Sequence, residues 1–497
     1  MKAALAVIAL LIAAPSLACG DRIRAGSLDL ATATLDDITA ALAAKRVTSV
    51  QLVDAYRRRI DACNGELHAI ISLNEAAMSD ARVLDAERAA GRLRGPLHGV
   101  PVIIKDNIDL AGAVTTAGSL ALAANRRDTD APVVSQLRAA GLVILAKSNL
   151  TEWANFRSSR SSSGWSAVGG LAVNPRDPTR SACGSSSGSA AAIVAHLAPL
   201  AVGAETNGSI VCPASVNGIV GFKPTVGWVS QRGIVPISHT QDTAGPMAAR
   251  VSDVATLSAA MVTPDHAAAL AGPMRAGALR GARLGVIRFI DGFSPQTLAE
   301  FEKSLAVLRN AGAQLVDIRS FDYADLRDLE GTILRAEFKT GIDAYLSTTP
   351  PAVKSRTLAQ LIDYNRAEPR ELQWFGQDTF EASQATGGVD DPAYAPALQR
   401  ALAIAREHGL DRLLKDNAVI ALVAPTNGPA WKIDLVNGDR GVGSASLLPA
   451  VAGYPHLTVP GGQVSGLPVG LSIIGTANDD ATVLALGLAY ETARDAR

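Results

Sequence analysis

The chain is 497 residues long and 48% apolar, ample for a large core. Lysine plus arginine (46) balances aspartate plus glutamate (47), and aromatics are only 4% of residues. That excludes a basic, base-stacking nucleic-acid surface and favours a small neutral or mixed substrate. Four irregularly spaced cysteines, and seven histidines without an HExxH or CxxC pattern, support neither a disulfide scaffold nor a metal site.

At the amino terminus, Lys2 precedes an apolar run from Ala3 to Ala14, then Pro15 and the small-x-small sequence Ser16, Leu17, Ala18. This pattern predicts a secretory signal peptide over residues 1–18 and hence an exported, periplasmic or extracellular protein. Lipid anchoring at Cys19 is the second expectation, ranked lower because Ser16 stands where a lipoprotein signal carries leucine. No later apolar stretch reaches the roughly 18 residues of a membrane span, so no integral span is expected.

From Leu35 to about Arg94 the apolar spacing is helical, with Thr34 placed to cap LDDITAALAAKR. Residues 19–94 are thus expected to form covering helices, and 95–497 the main domain. At Gly99 the pattern changes to GVPVIIKDNID, an apolar run too short for a free helix and read as a buried strand ending at Lys105. A helical APVVSQLRAAG and a second apolar run, LVILAKSN, follow. Helices alternating with buried strands predict a mainly parallel sheet covered on both faces. Residues 155–189 form a Ser/Gly/Pro-rich connection longer than ordinary loops, read as functional because it leads into a serine cluster. The polar, aromatic-containing stretch 340–400 is read as a lid or pocket wall.

A serine hydroxyl becomes a strong nucleophile only when a base takes its proton. In CGSSSGSAAA (183–192), GSSSG matches a G-x-S-x-G elbow, which would make Ser186 the nucleophile of a Ser-His-Asp hydrolase with a later histidine such as His456. The polar, proline-broken NPRDPTRSAC before it lacks the buried strand an elbow needs, so a turn capping the helix SAAAIVAHL is the favoured reading of this motif alone. In LAVGAETNGSIVCPAS, Ser209 follows a short apolar strand. Gly208 lets the backbone approach a ligand, and successive NH groups there can converge on an oxyanion. A capped turn fits that stretch equally well. Lys105 ends its strand where open α/β sheets place ligands, and burial would lower its pKa toward that of a neutral base. A surface pair with Asp106 is the plainer alternative.

Taken together, Lys105 in GVPVIIKDN, Ser185 in GSSSGSAAA and Ser209 in GAETNGSIVCPAS resemble the amidase signature family of serine hydrolases. The likeness continues through NGIVGFKPTVGWVSQRGIVPISHTQDTAGPMA and AGYPHLTVPGGQVSGLPVGL, most of the chain after about residue 95. It implies a single large α/β/α domain on a mixed, mainly parallel central sheet, with its catalytic motifs within 99–250. It also implies a histidine-free triad: Ser209 as nucleophile, Ser185 as relay after a cis peptide from Gly184, and Lys105 as base. The backbone NH groups of Thr206, Asn207, Gly208 and Ser209 match the family's oxyanion hole. Cys183 and Asn207 stand where glycine is usual, and Val211 replaces an arginine that binds acidic substrates in some relatives. NLTEWANFRSS and these departures resemble the peptide amidase branch.

The implied reaction is hydrolysis of a carboxamide, foremost the C-terminal amide of peptides, to acid and ammonia. It needs no cofactor and no metal, and its partner is a small-molecule or peptide amide. The alternatives are an esterase or arylamidase on the same scaffold, and an exported solute-binding protein. Lys223 and Asp242 are read as structural, and Trp153, Phe156 and Trp165 as core rather than pocket wall. Pairing of Cys183 with Cys212 is left open.

Overall fold

Local caps set the first helices. In the computed structural model, which describes residues 23–270 and 277–496, Thr34 caps Leu35–Ala43 and Thr48 caps Ser49–Leu67. Each cap is reciprocal, with Asp37 or Gln51 three residues on accepting from the cap's own NH. The expected signal peptide and Cys19 lie outside the described residues. His68, in the left-handed conformation, ends the second helix, and Ile70–Leu73 then runs as a strand before the helix Ala77–Ala89. The sequence reading had only helices here. A four-residue segment, Ile70–Leu73, is too short for periodicity to separate strand from helix.

Among the described residues, eleven strands form the central sheet. In chain order they are β1 (Ile70–Leu73), β2 (Pro101–Lys105), β3 (Val143–Ser148), β4 (Leu200–Glu205), β5 (Val220–Lys223) and β6 (Thr243–Ala248). The carboxyl-terminal half adds β7 (Arg283–Ile287), β8 (Gln314–Ile318), β9 (Ala421–Pro425), β10 (His456–Val464) and β11 (Leu467–Ile474). Across the sheet the order is β8-β7-β9-β11-β10-β5-β6-β4-β2-β3-β1.

The sheet is mixed, and its parallel pairing is concentrated in two groups, β4-β2-β3 and β8-β7-β9. The strands between them pair antiparallel, as does β1 at the edge. Connection length explains part of the antiparallel pairing in this mixed sheet. β10 and β11 are joined by only Ser465 and Gly466, both at positive φ, and so tight a turn forces a hairpin.

Helices cover both faces of this single α/β/α domain. On one face, Gly203, Gly221 and Gly245 carry no side chains, which lets Ser186, Ile210 and Ala214 come close to the strands. On the other, Phe222 of β5 pairs with Leu457 of β10, which packs against Gly487 of the helix Asp480–Asp495. The stretch 340–400 is mostly helical and packs as a subsidiary core, with Phe338 stacked on Phe380 and Trp153 edge-on to Phe380. None of its residues lines the large cleft described below, so its reading as a wall is replaced by one of support. Among the described residues no helix is long and apolar enough to cross a membrane.

Candidate active site

β2 and β4 are parallel neighbours, so their carboxyl ends open on the same edge of the sheet. Lys105 closes β2 with its side chain fully buried. Its Nζ donates to the Ala204 carbonyl at 2.9 Å and lies 2.7 Å from Ser185 Oγ. Burial lowers its pKa from the ordinary lysine value to about 7, against the opposing pull of the Asp242 and Glu205 carboxylates. Near neutrality the amine is therefore available as a base. The plainer pairing with Asp106 does not occur, because Asp106 is buried against Lys147 at 2.9 Å.

Ser185 is fully buried and follows a cis peptide from Gly184. Its carbonyl accepts from the Thr151 NH at 3.0 Å, which fixes the serine loop to the turn after β3. The next residue, Ser186, is committed to the sheet, where its Oγ donates to the Ala204 carbonyl at 3.1 Å and accepts from the Ala204 NH at 3.2 Å. It neither serves an elbow nor caps the helix Ser187–Val194, because both hydroxyl functions are spent on β4. His456 is likewise occupied, bonded through Nε2 to Ser472 at 2.6 Å and held neutral by burial, with its pKa lowered to about 3.

The loop leaving β4 is bent by its own first carboxylate. Glu205 Oε2 accepts from the NH groups of Ile210 (2.7 Å) and Val211 (3.0 Å), folding the chain back into the helix Val211–Asn217. Gly208 adopts φ 82°, the left-handed conformation that glycine accepts without penalty. Thr206 Oγ1 donates to Asp242 Oδ1 at 2.6 Å, while Asp242 Oδ2 takes the NH groups of Ile237 and Ser238. Ser209 is thereby brought beside the serine cluster, its carbonyl accepting from the Ser186 NH at 3.1 Å.

A cleft of about 730 Å³ opens here, within the usual range for a ligand site. Cys183, Gly184, Asn207, Gly208 and Cys212 are among its lining. Most of the lining comes from later in the chain, including Ile290, Tyr323, Arg327, Gly443 and Leu447. Cys183 and Cys212 form a disulfide, which settles the pairing left open by the sequence and ties the loop of Ser185 to the helix after Ser209. Trp153, Phe156 and Trp165 are spent on Phe380, Phe338 and Phe375, as core packing predicts. Lys223 is buried at the end of β5, with Nζ 3.3 Å from the Pro224 carbonyl. Sequence reasoning missed Glu205, whose spacing from Ile210 was a readable signal, and also Glu330 and Ser446. Those two reach Asn207 from positions more than a hundred residues away, where no local pattern marks them.

A buried amine in contact with a serine at the carboxyl edge of a mixed α/β sheet is an arrangement suited to hydrolysis. The Amidase family model matches residues 51–484, and the chain belongs to that family of amide C–N hydrolases. It is 43% identical to the solved peptide amidase of Stenotrophomonas maltophilia, over 93% of this chain and 97% of that one, with a TM-score of 0.86. A probable amidase of Arabidopsis thaliana is 35% identical over 96% of this chain and 93% of its own length. A glutamyl-tRNA(Gln) amidotransferase subunit of Chloroflexus aurantiacus is 35% identical over 92% of this chain and 96% of its own.

Proposed function

We propose that this enzyme hydrolyses the C-terminal carboxamide of peptides to acid and ammonia through Ser209, Ser185 and Lys105. The observation that carries the reading is the 2.7 Å contact between a buried, largely desolvated lysine amine and Ser185 Oγ. Because Nζ already directs one N–H to the Ala204 carbonyl, its lone pair is free in the neutral form to accept the Ser185 proton. Ser185 in turn takes the proton of Ser209, whose Oγ attacks the carbonyl carbon. The resulting oxyanion is met by NH groups of the loop Thr206–Ser209. Collapse breaks the C–N bond, the proton returns from Lys105 through Ser185, and ammonia leaves. Water then cleaves the acyl-enzyme by the same proton route, releasing the acid and restoring Ser209.

The likeness to a peptide amidase supports a peptide amide as substrate, and a cleft of about 730 Å³ has room for several residues. The apolar run Ala3–Ala14 after Lys2 supports export, which sequencing of the mature amino terminus would test. The central experiment is incubation of purified protein with amidated peptides, simple amides and esters, reading each product by mass and ammonia by assay. Ammonia release from amidated peptides, abolished in a folded Ser209→Ala variant, is the expected result. Cleavage of esters alone would replace this reading with an esterase, and an active Ser209→Ala would remove the nucleophile.

A further inference from the structure

The loop Thr206–Ser209 is held from three directions, and one of them is specific to a residue this chain carries in place of a glycine. Glu205 and Asp242 anchor the loop at the sheet edge from which it springs. Asn207 reaches away from the sheet. Its Nδ2 donates to Glu330 Oε1 at 2.7 Å, on the helix Leu326–Ser347, and its Oδ1 accepts from Ser446 Oγ at 2.6 Å, at the start of the helix Leu447–Ala452. Gln241 Nε2 donates to the same Glu330 oxygen at 3.0 Å. Glu330 is only 5% exposed, so truncating it removes the acceptor of the Asn207 amide and leaves Gln241 Nε2 only its 3.4 Å bond to the Thr206 carbonyl.

Ser446 lines the cleft, and Glu330 sits on a helix whose neighbouring residues do. Tyr323, Ala324, Arg327 and Asp328, just before and within the first turn of the Glu330 helix, form one wall, and Ser446 with Leu447 forms part of another. A glycine at position 207 could make neither bond. The Asn207 amide therefore ties a loop residue to two separate parts of the substrate cleft.

We propose that Glu330 and Ser446, acting through the side chain of Asn207, are positioning residues for acyl transfer that hold the oxyanion loop in register with the cleft walls. This rests on the reading of Thr206–Ser209 as the loop that receives the oxyanion. Displacing preorganised donors lowers the chemical step far more than it weakens ground-state binding. The test is steady-state kinetics on an amidated peptide for Glu330→Ala, Asn207→Ala, their double variant and Glu330→Gln, with melting curves for each.

The expected result is a fall in kcat of about 10- to 100-fold in each alanine variant, with KM moved by less than about threefold. The double variant then loses less than the product of the two single losses, because the Asn207–Glu330 bond is shared while each residue also has a partner of its own. Glu330→Gln, whose amide oxygen accepts the same bonds, retains kcat within about threefold. Full kcat in Asn207→Ala, additive losses, an effect mainly on KM, or a Glu330→Gln as slow as Glu330→Ala each overturns the proposal. Should Glu330→Ala fail to fold, Asn207→Ala decides alone. Ser209→Ala is run alongside: an active Ser209→Ala removes the underlying reading, whereas an inactive one beside a fully active Asn207→Ala removes this proposal only.

Discussion

Lys105 has its ordinary charge suppressed by burial, yet two carboxylates, Asp242 and Glu205, oppose that suppression. The proposed chemistry needs the neutral amine, so kcat/KM is expected to rise with pH through about 7 and level off above it, the limb following the lowered Lys105 value. Lys105→Ala should lose roughly a hundredfold or more and abolish that limb, a result checked by a pH–rate profile at constant ionic strength. Asp242→Asn removes the charge that favours the ammonium form. The limb should therefore move to lower pH, and a limb that stays in place would show that Asp242 does not act on the base. Ser186→Ala tests the discarded elbow: with both functions of its hydroxyl directed at Ala204, amide hydrolysis should persist.

At the scale of elements, close approach is what brings the serine loop to the sheet. A Cβ on Gly188, in the first turn of Ser187–Val194, would overlap the Ala69 carbonyl oxygen and lie 2.5 Å from that of Asn149. Those are backbone atoms that cannot swing aside, so Gly188→Ala should cost about 1 to 3 kcal/mol in denaturant unfolding and slow catalysis by shifting the helix behind Ser185. The disulfide closes a loop with a sequence separation of 29 residues. On the chain-entropy account, Cys212→Ser should cost about 3 to 4 kcal/mol, and a reducing agent should reproduce the lowered melting temperature in the parent protein.

Much at this scale was legible in the sequence. The Thr34 cap, the buried run ending at Lys105 and the three motif residues all announce themselves within a few positions. β1 did not, because the four residues Ile70–Leu73 flanked by helices are too few to carry a period. The antiparallel middle of the sheet did not either, since strand direction is decided by connections and by packing between distant segments. The same reason hid Glu330 and Ser446: a hydrogen bond across more than a hundred residues leaves no trace in either neighbourhood.

Across the whole molecule, a buried ionic cluster joins the long Ser/Gly-rich connection to the later helical region. Arg157 bonds Glu152 at 2.6 Å and Glu371 at 3.3 Å, all fully buried, with its guanidinium 4.3 Å from the Phe375 ring. Arg157→Met leaves two desolvated carboxylates facing each other and should cost roughly 3 to 5 kcal/mol. Burial and Glu371 already push the Glu152 carboxyl upward and Arg157 pulls it back, so the deficit should shrink as pH falls and that carboxyl protonates. Urea unfolding at neutral and mildly acidic pH checks both the size and the trend.

Five residues from Cys183 to Cys212 line the cleft, while most of its lining lies beyond residue 289. The proposed chemistry and most of the surface a substrate would meet thus come from different stretches of one polypeptide. An ancestor could trade one preferred ligand for another by altering its second half alone, and grafting that half from a relative offers a direct route to new selectivity on unchanged chemistry.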